Sequence, residues 1–173
     1  MQNNLSHTNT SFDFLKESSE FLNLIIHNIP SCVIFLDKDM MLHAYNNALK
    51  TIFSNREDEH ILYHKCGNVI GCAYAVEEEK ECGTTTMCQF CSLRESALMS
   101  YTDNRNIFKQ RLDREFYKKD FTKEMKHLQF SSRVFSFRGE RYIVLIIDDI
   151  THLIKLKESA QSQQKNIDDY LNR

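Results

Sequence analysis

Five of the six cysteines in this chain fall between Lys65 and Arg94: Cys66, Cys72, Cys82, Cys88 and Cys91. Only Cys32 lies outside that stretch. Cys82, Cys88 and Cys91 are spaced C-x5-C-x2-C, and Cys72 precedes Cys82 by ten residues. The Cys-x-x-Cys pair can hold one soft metal ion, or two irons of one cluster, without straining the loop. Four thiolates complete the shell of either a zinc ion or an iron–sulfur cluster. Structural zinc sites commonly use two such pairs, and this chain has one. Its uneven run is closer to iron–sulfur spacing. An iron–sulfur centre on Cys72, Cys82, Cys88 and Cys91 is therefore the favoured expectation. A structural protein–protein interaction module stapled by zinc on the same four residues is the alternative, and a thiol–disulfide switch is the third reading. Cys66 is a possible additional ligand. His60 and His64 are four apart and could share a helix face beside it. Cys32 sits in an apolar run and reads as a small core residue.

The remainder of the chain must position that loop. Its 173 residues suit one domain with a core. A net charge of −2 gives no electrostatic reason to expect nucleic acid or an anionic membrane surface. The segment from Arg105 to Lys126 is rich in lysine and arginine, but Asp113, Glu115, Asp120 and Glu124 interleave, so it reads as a solvated face. Met1 to Thr10 is polar, read as a disordered start without a secretory apolar stretch. Tyr142 to Ile147 is too short to span a bilayer. The expectation is a cytoplasmic protein, in which clustered cysteines serve as metal ligands or redox switches rather than structural disulfides. A redox Cys-x-x-Cys usually opens a helix after a strand in a parallel α/β fold, a pattern missing here, so no enzyme is expected.

Hydrophobic periodicity orders the elements. Leu15, Ser18, Leu22, Ile25 and Ile29 recur at three and four residues, an amphipathic helix from Ser11 that Pro30 ends. Cys32–Leu36 and Met40–Tyr45 read as a hairpin turned by Asp37-Lys38-Asp39. Asn46 caps a short helix through Phe53. Ser92–Tyr101 reads as a helix, and 107–137 has strand character with charged interruptions. Tyr142–Asp148 is a continuous apolar strand. From Thr151 a heptad-like stripe runs through Leu153, Leu156, Ala160, Gln163, Ile167 and Tyr170. Two helices of different chains could pair along it; equally, it could fold back on its own sheet. Helices at both ends and a strand-rich second half indicate an α+β fold with an antiparallel sheet.

Asn28-Ile29-Pro30, the strand ending Leu36-Asp37-Lys38-Asp39, and Tyr45-Asn46-Asn47-Ala48 resemble the opening of a PAS sensory domain. A last strand running into Asp149-Ile150-Thr151 and a charged amphipathic helix resembles its close. Within it, Gly67–Cys72, Cys82-Gly83-Thr84, Cys88-Gln89-Phe90-Cys91 and Leu93-Arg94 resemble a cysteine-rich PAS subclass of bacterial signalling proteins. The resemblance implies a five-stranded antiparallel sheet with helices on one face, spanning 30–151 with an insert at 65–94. It implies the four ligands already named, a sensing role, and a signal joint at Asp149, Ile150 and Thr151. It also implies a homodimer seamed by Leu153, Leu156, Ala160 and Ile167 on the helix 152–173. With no kinase or nucleotide motif present, the signal is expected to leave through that dimer or a separate protein such as a kinase or regulator.

Overall fold

A computed structural model describes residues 19–53 and 61–171. The first helix, α1, spans Ser19–Asn28, and the part expected at 11–18 lies outside the described residues, as does the polar start. Then come β1 (Cys32–Leu36), β2 (Leu42–Tyr45) and α2 (Ala48–Phe53). The cysteine segment carries two short helices, α3 (Cys66–Val69) and α4 (Ala73–Glu77), and a single 3-10 turn at Cys88–Phe90. After it follow α5 (Ser92–Asp103), β3 (Ile107–Tyr117), β4 (Lys123–Phe137), β5 (Glu140–Asp149) and α6 (Thr151–Leu171).

The five strands form one antiparallel sheet in the order β2-β1-β5-β4-β3. The apolar run expected to be the surest strand, β5, is central, between β1 and β4. Strand alternation sends Ile34 and Leu36 of β1, Leu128 and Phe130 of β4, and Ile143, Leu145 and Ile147 of β5 into the core. On that face α5 covers β3, β4 and β5, and adds Leu93 and Ala97. Phe53 of α2 meets Phe116 of β3 edge to face, ring centres 5.3 Å apart. Each fully buried side chain of this size contributes about 1.5–3 kcal/mol.

Three local expectations change. The second strand starts at Leu42, not Met40. The Asp37 carboxylate accepts the amides of Asp39 and Met41 (both 2.9 Å), and Met40 takes φ 63° to close that turn. Met40 is thereby fully buried beneath the cysteine segment. The region 107–137 is two strands, because Lys118–Thr122 closes a hairpin with the Lys118 amide donating to the Thr122 carbonyl at 2.8 Å. Finally, α1 buries no residue in this chain; Leu22, Leu24 and Ile25 are exposed.

Asn46 holds the entry to the sheet together. Its Oδ1 accepts the Val33 amide (2.9 Å), and its Nδ2 donates to the carbonyls of Ile26 and Ser31 (2.9 Å each). One fully buried side chain so ties the end of α1 to β1 and to the start of α2. Each such bond is worth about 1 kcal/mol, and a stranded buried amide costs more. Asn46→Ala is expected to lower unfolding stability by about 2–4 kcal/mol, read from the urea midpoint at unchanged slope.

Candidate metal centre

The chain around the cysteines folds back on itself through short helices and backbone bonds. The Cys66 amide donates to the Met40 carbonyl (2.9 Å), and the Cys72 amide to the Gly67 carbonyl (2.8 Å). Asn68 clamps the next crossing, its Oδ1 accepting the Cys82 amide at 2.8 Å. Cys91 stands at the N-cap of α5, its carbonyl accepting the Glu95 amide at 2.9 Å. The result brings together what is far apart in sequence. Cys66, Cys72, Cys82, Cys88 and Cys91 all line one cavity of about 20 Å³, together with Met40, Leu112 and Phe116. Cys32 is buried in β1, as expected of a core residue. His64 is exposed and lines no part of the cavity; His60 lies outside the described residues.

Close approach explains one glycine and positive φ the other. A Cβ on Gly67 would lie 2.6 Å from the Cys82 sulfur, so any larger residue displaces that thiol. Gly83 has φ +108° and lies under the Arg94 guanidinium, whose atoms would come within 3.1 Å of a Cβ.

Two guanidinium groups line the cavity with the sulfurs: Arg94, which the sequence offered only as part of the Leu93-Arg94 motif, and Arg114, which it did not single out. Arg114 of β3 is only 8 % exposed; its Nη1 is 3.7 Å from the Cys72 sulfur, and it lies over the Tyr74 ring at 5.1 Å. Among the described residues no carboxylate pairs with it. Burial works against its charge, but Cys91 and Cys72 more than offset that and hold its pKa above the usual value. Arg94 lines the same cavity, and its Nη1 is buried without a hydrogen-bond partner. The reading of 105–126 as a solvated face therefore fails for Arg114, and equally for Lys126, which is also 8 % exposed. Strand alternation was the available signal: Leu112, Arg114 and Phe116 share one face.

The thiols are not equivalent. Burial pushes Cys32 up to about 12 and, with weaker help from Cys88 and Cys91, Cys82 up to about 11. Cys66 is raised as well, first by burial and then by the neighbouring Cys82, Cys32, Cys91 and Cys72. Cys88 goes the other way. Burial raises it, but the Thr85 hydroxyl and the Gly83 amide, each 3.0 Å from its sulfur, outweigh that and lower it.

These sulfurs surround one space without forming a closed shell: among the described residues no three Cys, His, Asp or Glu side chains stand ready to hold an ion. The donor set nevertheless fits a metal–thiolate centre. Four thiolates around a dication keep two net negative charges, and two guanidinium groups with no carboxylate partner among the described residues line the cavity.

Asp149, Ile150 and Thr151 are tied to β4 by hydrogen bonds. Asp149 caps α6, its Oδ1 accepting the Thr151 amide (2.9 Å), while its Oδ2 takes Lys126 Nζ at 2.8 Å. Burial raises the Asp149 pKa, but Lys126 and Thr151 outweigh it and hold it below the usual value. Its contribution is thus complete at neutral pH and is lost only as acid protonates it below that value. The Thr151 hydroxyl accepts the His127 amide (2.9 Å), and the Ile150 amide donates to the His127 carbonyl (2.8 Å). Beyond this joint α6 stands clear of the sheet. Leu153, Leu156 and Ile167 are 53–63 % exposed, and Ala160 is exposed too, so the stripe does not dock on its own sheet.

Comparison with solved structures identifies the fold. The PAS domain of nitrogen regulation protein NR(II) from Vibrio parahaemolyticus superposes with TM-score 0.52 at 14 % identity, covering 76 % of this chain and all of that one. The PAS domain of Bordetella pertussis BvgS gives TM-score 0.52 at 19 % identity over 85 % of this chain and 96 % of that one. A PAS domain from Colwellia psychrerythraea gives 0.51 at 10 % identity over 81 % and 99 %. The chain has the PAS fold: the five-stranded antiparallel sheet with helices on one face is as expected. No protein-family model and no curated protein matches the sequence. No helix among the described residues is long and apolar enough to cross a membrane.

With a lowered pKa and partial exposure, Cys88 is expected to be the first thiol alkylated in metal-free protein at neutral pH. Buried Cys32 and Cys66 should react last. Peptide mass mapping over a time course of iodoacetamide treatment reads the order.

Proposed function

We propose that this protein is a PAS sensor module in which Cys72, Cys82, Cys88 and Cys91 hold a metal centre, with Cys66 as a reserve thiol beside it. The observation that carries this reading is Arg114: a buried guanidinium whose nearest anion-forming neighbours are cysteine sulfurs rather than carboxylates. Such a charge is tolerated where the sulfurs stay anionic, which a metal enforces. The uneven spacing favours an iron–sulfur cluster. Zinc is the second reading, favoured by a cavity of about 20 Å³, the space of one water-sized particle. A cluster supplies sensitivity to oxygen, nitric oxide or electron supply; zinc supplies a fixed staple.

The protein's own residues do the rest. Gly67 leaves room for the Cys82 sulfur, Thr85 and the Gly83 amide support Cys88, and Arg94 and Arg114 offset the charge. The role is sensing rather than catalysis, in the cytoplasm, with no nucleic-acid or membrane partner. Output passes through α6 to a second copy of the chain and on to a signalling protein such as a kinase or regulator. The exposed stripe of Leu153, Leu156, Ala160 and Ile167 supports the pairing, since monomers tend to cover such surface.

Anaerobically purified protein is expected to carry metal, brown if iron–sulfur and colourless with one zinc otherwise. Serine at any one of Cys72, Cys82, Cys88 or Cys91 should abolish binding, while Cys32→Ser should leave it intact. Equal metal content in Cys88→Ser and the parent refutes the site. Sedimentation tests the pairing: the full chain should run as a dimer at tens of micromolar and a chain ending at His152 as a monomer. A monomeric full chain removes the dimer from the proposal.

A further inference from the structure

The start of the cysteine segment touches both free edges of the sheet. At the β2 edge Lys65 pairs with Met41, the Leu42 amide donates to the His64 carbonyl (2.9 Å), and the Tyr63 amide donates to the Leu42 carbonyl (2.7 Å). At the β3 edge Cys72 pairs with Phe116, and the Tyr117 amide donates to the Gly71 carbonyl (2.8 Å). β2 and β3 are the two outermost strands of the sheet. Between these contacts the chain crosses the inner face, where Val69 and Ile70 enter the core.

Chain length makes that crossing a constraint. Neighbouring strands lie about 4.8 Å apart. In a flat sheet, Lys65 outside β2 and Cys72 outside β3 would stand six such spacings apart, about 29 Å. The seven residues from Lys65 to Cys72, fully extended, reach at most about 25 Å. Their real reach is shorter, because Cys66–Val69 is a turn of helix rising about 1.5 Å per residue. Both contacts therefore require a sheet whose edges curl toward each other over the inner face. The crossing is braced against stretching. The Ile70 amide donates to the Cys66 carbonyl (3.0 Å), and the Cys72 amide to the Gly67 carbonyl (2.8 Å). Past Cys72, Glu77 of α4 accepts Lys123 Nζ (3.0 Å) and the Tyr117 hydroxyl (3.1 Å), which fastens the β3 end.

We propose that Lys65–Cys72 is a clasp that holds the sheet curled by tying β2 to β3. The two edges then open together rather than separately, although the whole width of the sheet lies between them. The clasp also forms one wall of the cysteine cavity, through Cys66, Gly67, Ile70 and Cys72. Its use in sensing rests on the metal reading given above: a cavity that gains or loses its metal changes the clasp, and with it both edges of the sheet.

The test is amide hydrogen exchange by NMR on the full chain carrying two glycines inserted between Ile70 and Gly71. The insertion lengthens the clasp and removes no thiol. The Leu42 amide at one edge and the Tyr117 amide at the other are both expected to exchange about tenfold faster, as one local opening. The Ile147 amide in the central strand should keep the parent's rate. Faster exchange at one edge with the other unchanged overturns the clasp, because the edges then open independently. So does parental exchange at both. Should the insertion open the central strand as well, a single inserted glycine at the same point replaces it and is read in the same way.

Metal analysis of the same samples separates the clasp from the metal reading. A metal-free parent in which the insertion frees both edges loses the metal centre and keeps the clasp. A metal-bound parent whose edges answer separately keeps the metal centre and loses the clasp.

Discussion

A guanidinium buried in a sheet must have an anion, and at Arg114 that requirement shapes the surrounding structure. It lies on the inner face of β3, where alternation would otherwise place an aliphatic side chain between Leu112 and Phe116. The nearest groups able to carry negative charge are the sulfurs of Cys72 and Cys91, and Tyr74 adds a ring face. An unpaired buried charge costs several kcal/mol, and at Arg114 the docked cysteine segment supplies the Cys72 sulfur and the Tyr74 ring as its partners. The insert is therefore bound to the sheet by the Arg114 side chain as well as by packing. Its docking is extended by the Cys72–Phe116 bridge and by the Tyr117 amide donating to the Gly71 carbonyl at 2.8 Å.

That dependence gives the insert its unusual packing. It has little apolar material of its own: α3 and α4 are four and five residues long and bury only small or short side chains. Small helices of this length are not stable alone. They are held by backbone crossings, by the Asn68 clamp on the Cys82 amide, and by close approach at Gly67. A metal joining four of the surrounding thiols would supply the cross-link that a short, core-poor segment lacks, which is the usual use of metals in small domains.

At the opposite end of the sheet face, Asp149 couples β5 to α6 through three elements at once: Lys126 of β4, the Thr151 amide, and the strand it terminates. Helix α6 then leaves the domain with an apolar stripe exposed. α1 presents a second exposed apolar surface at Leu22, Leu24 and Ile25. Both terminal helices therefore carry the apolar area that association would bury, while the cysteine cavity lies inside the domain.

Local periodicity in the sequence was enough to define much of this. The continuous apolar run of β5, the apolar stripes of the end helices, and the turn chemistry of Asp37 follow from residue order alone, because neighbours a few positions apart decide them. The clustering of Cys72, Cys82, Cys88 and Cys91, with Cys66 beside them, was also legible, since the residues sit within one short stretch. What sequence could not supply were facts that depend on strands meeting. The charged run from Arg105 to Lys126 looks evenly solvated when read along the chain. Only the pairing of β3 with β4 turns Arg114 and Lys126 inward and sets them opposite one another. The start of β2 was misplaced because Met40 adopts a positive φ that no residue type at that position announces. Whether the α6 stripe would fold back was equally undecidable from its heptads. That depends on how Asp149 and Thr151 aim the helix, and they aim it away from the sheet. The sequence determined the cysteine cluster and the elements; tertiary structure decided which charges are buried with them, because burial arises from the contacts between elements and not from the composition of any one of them.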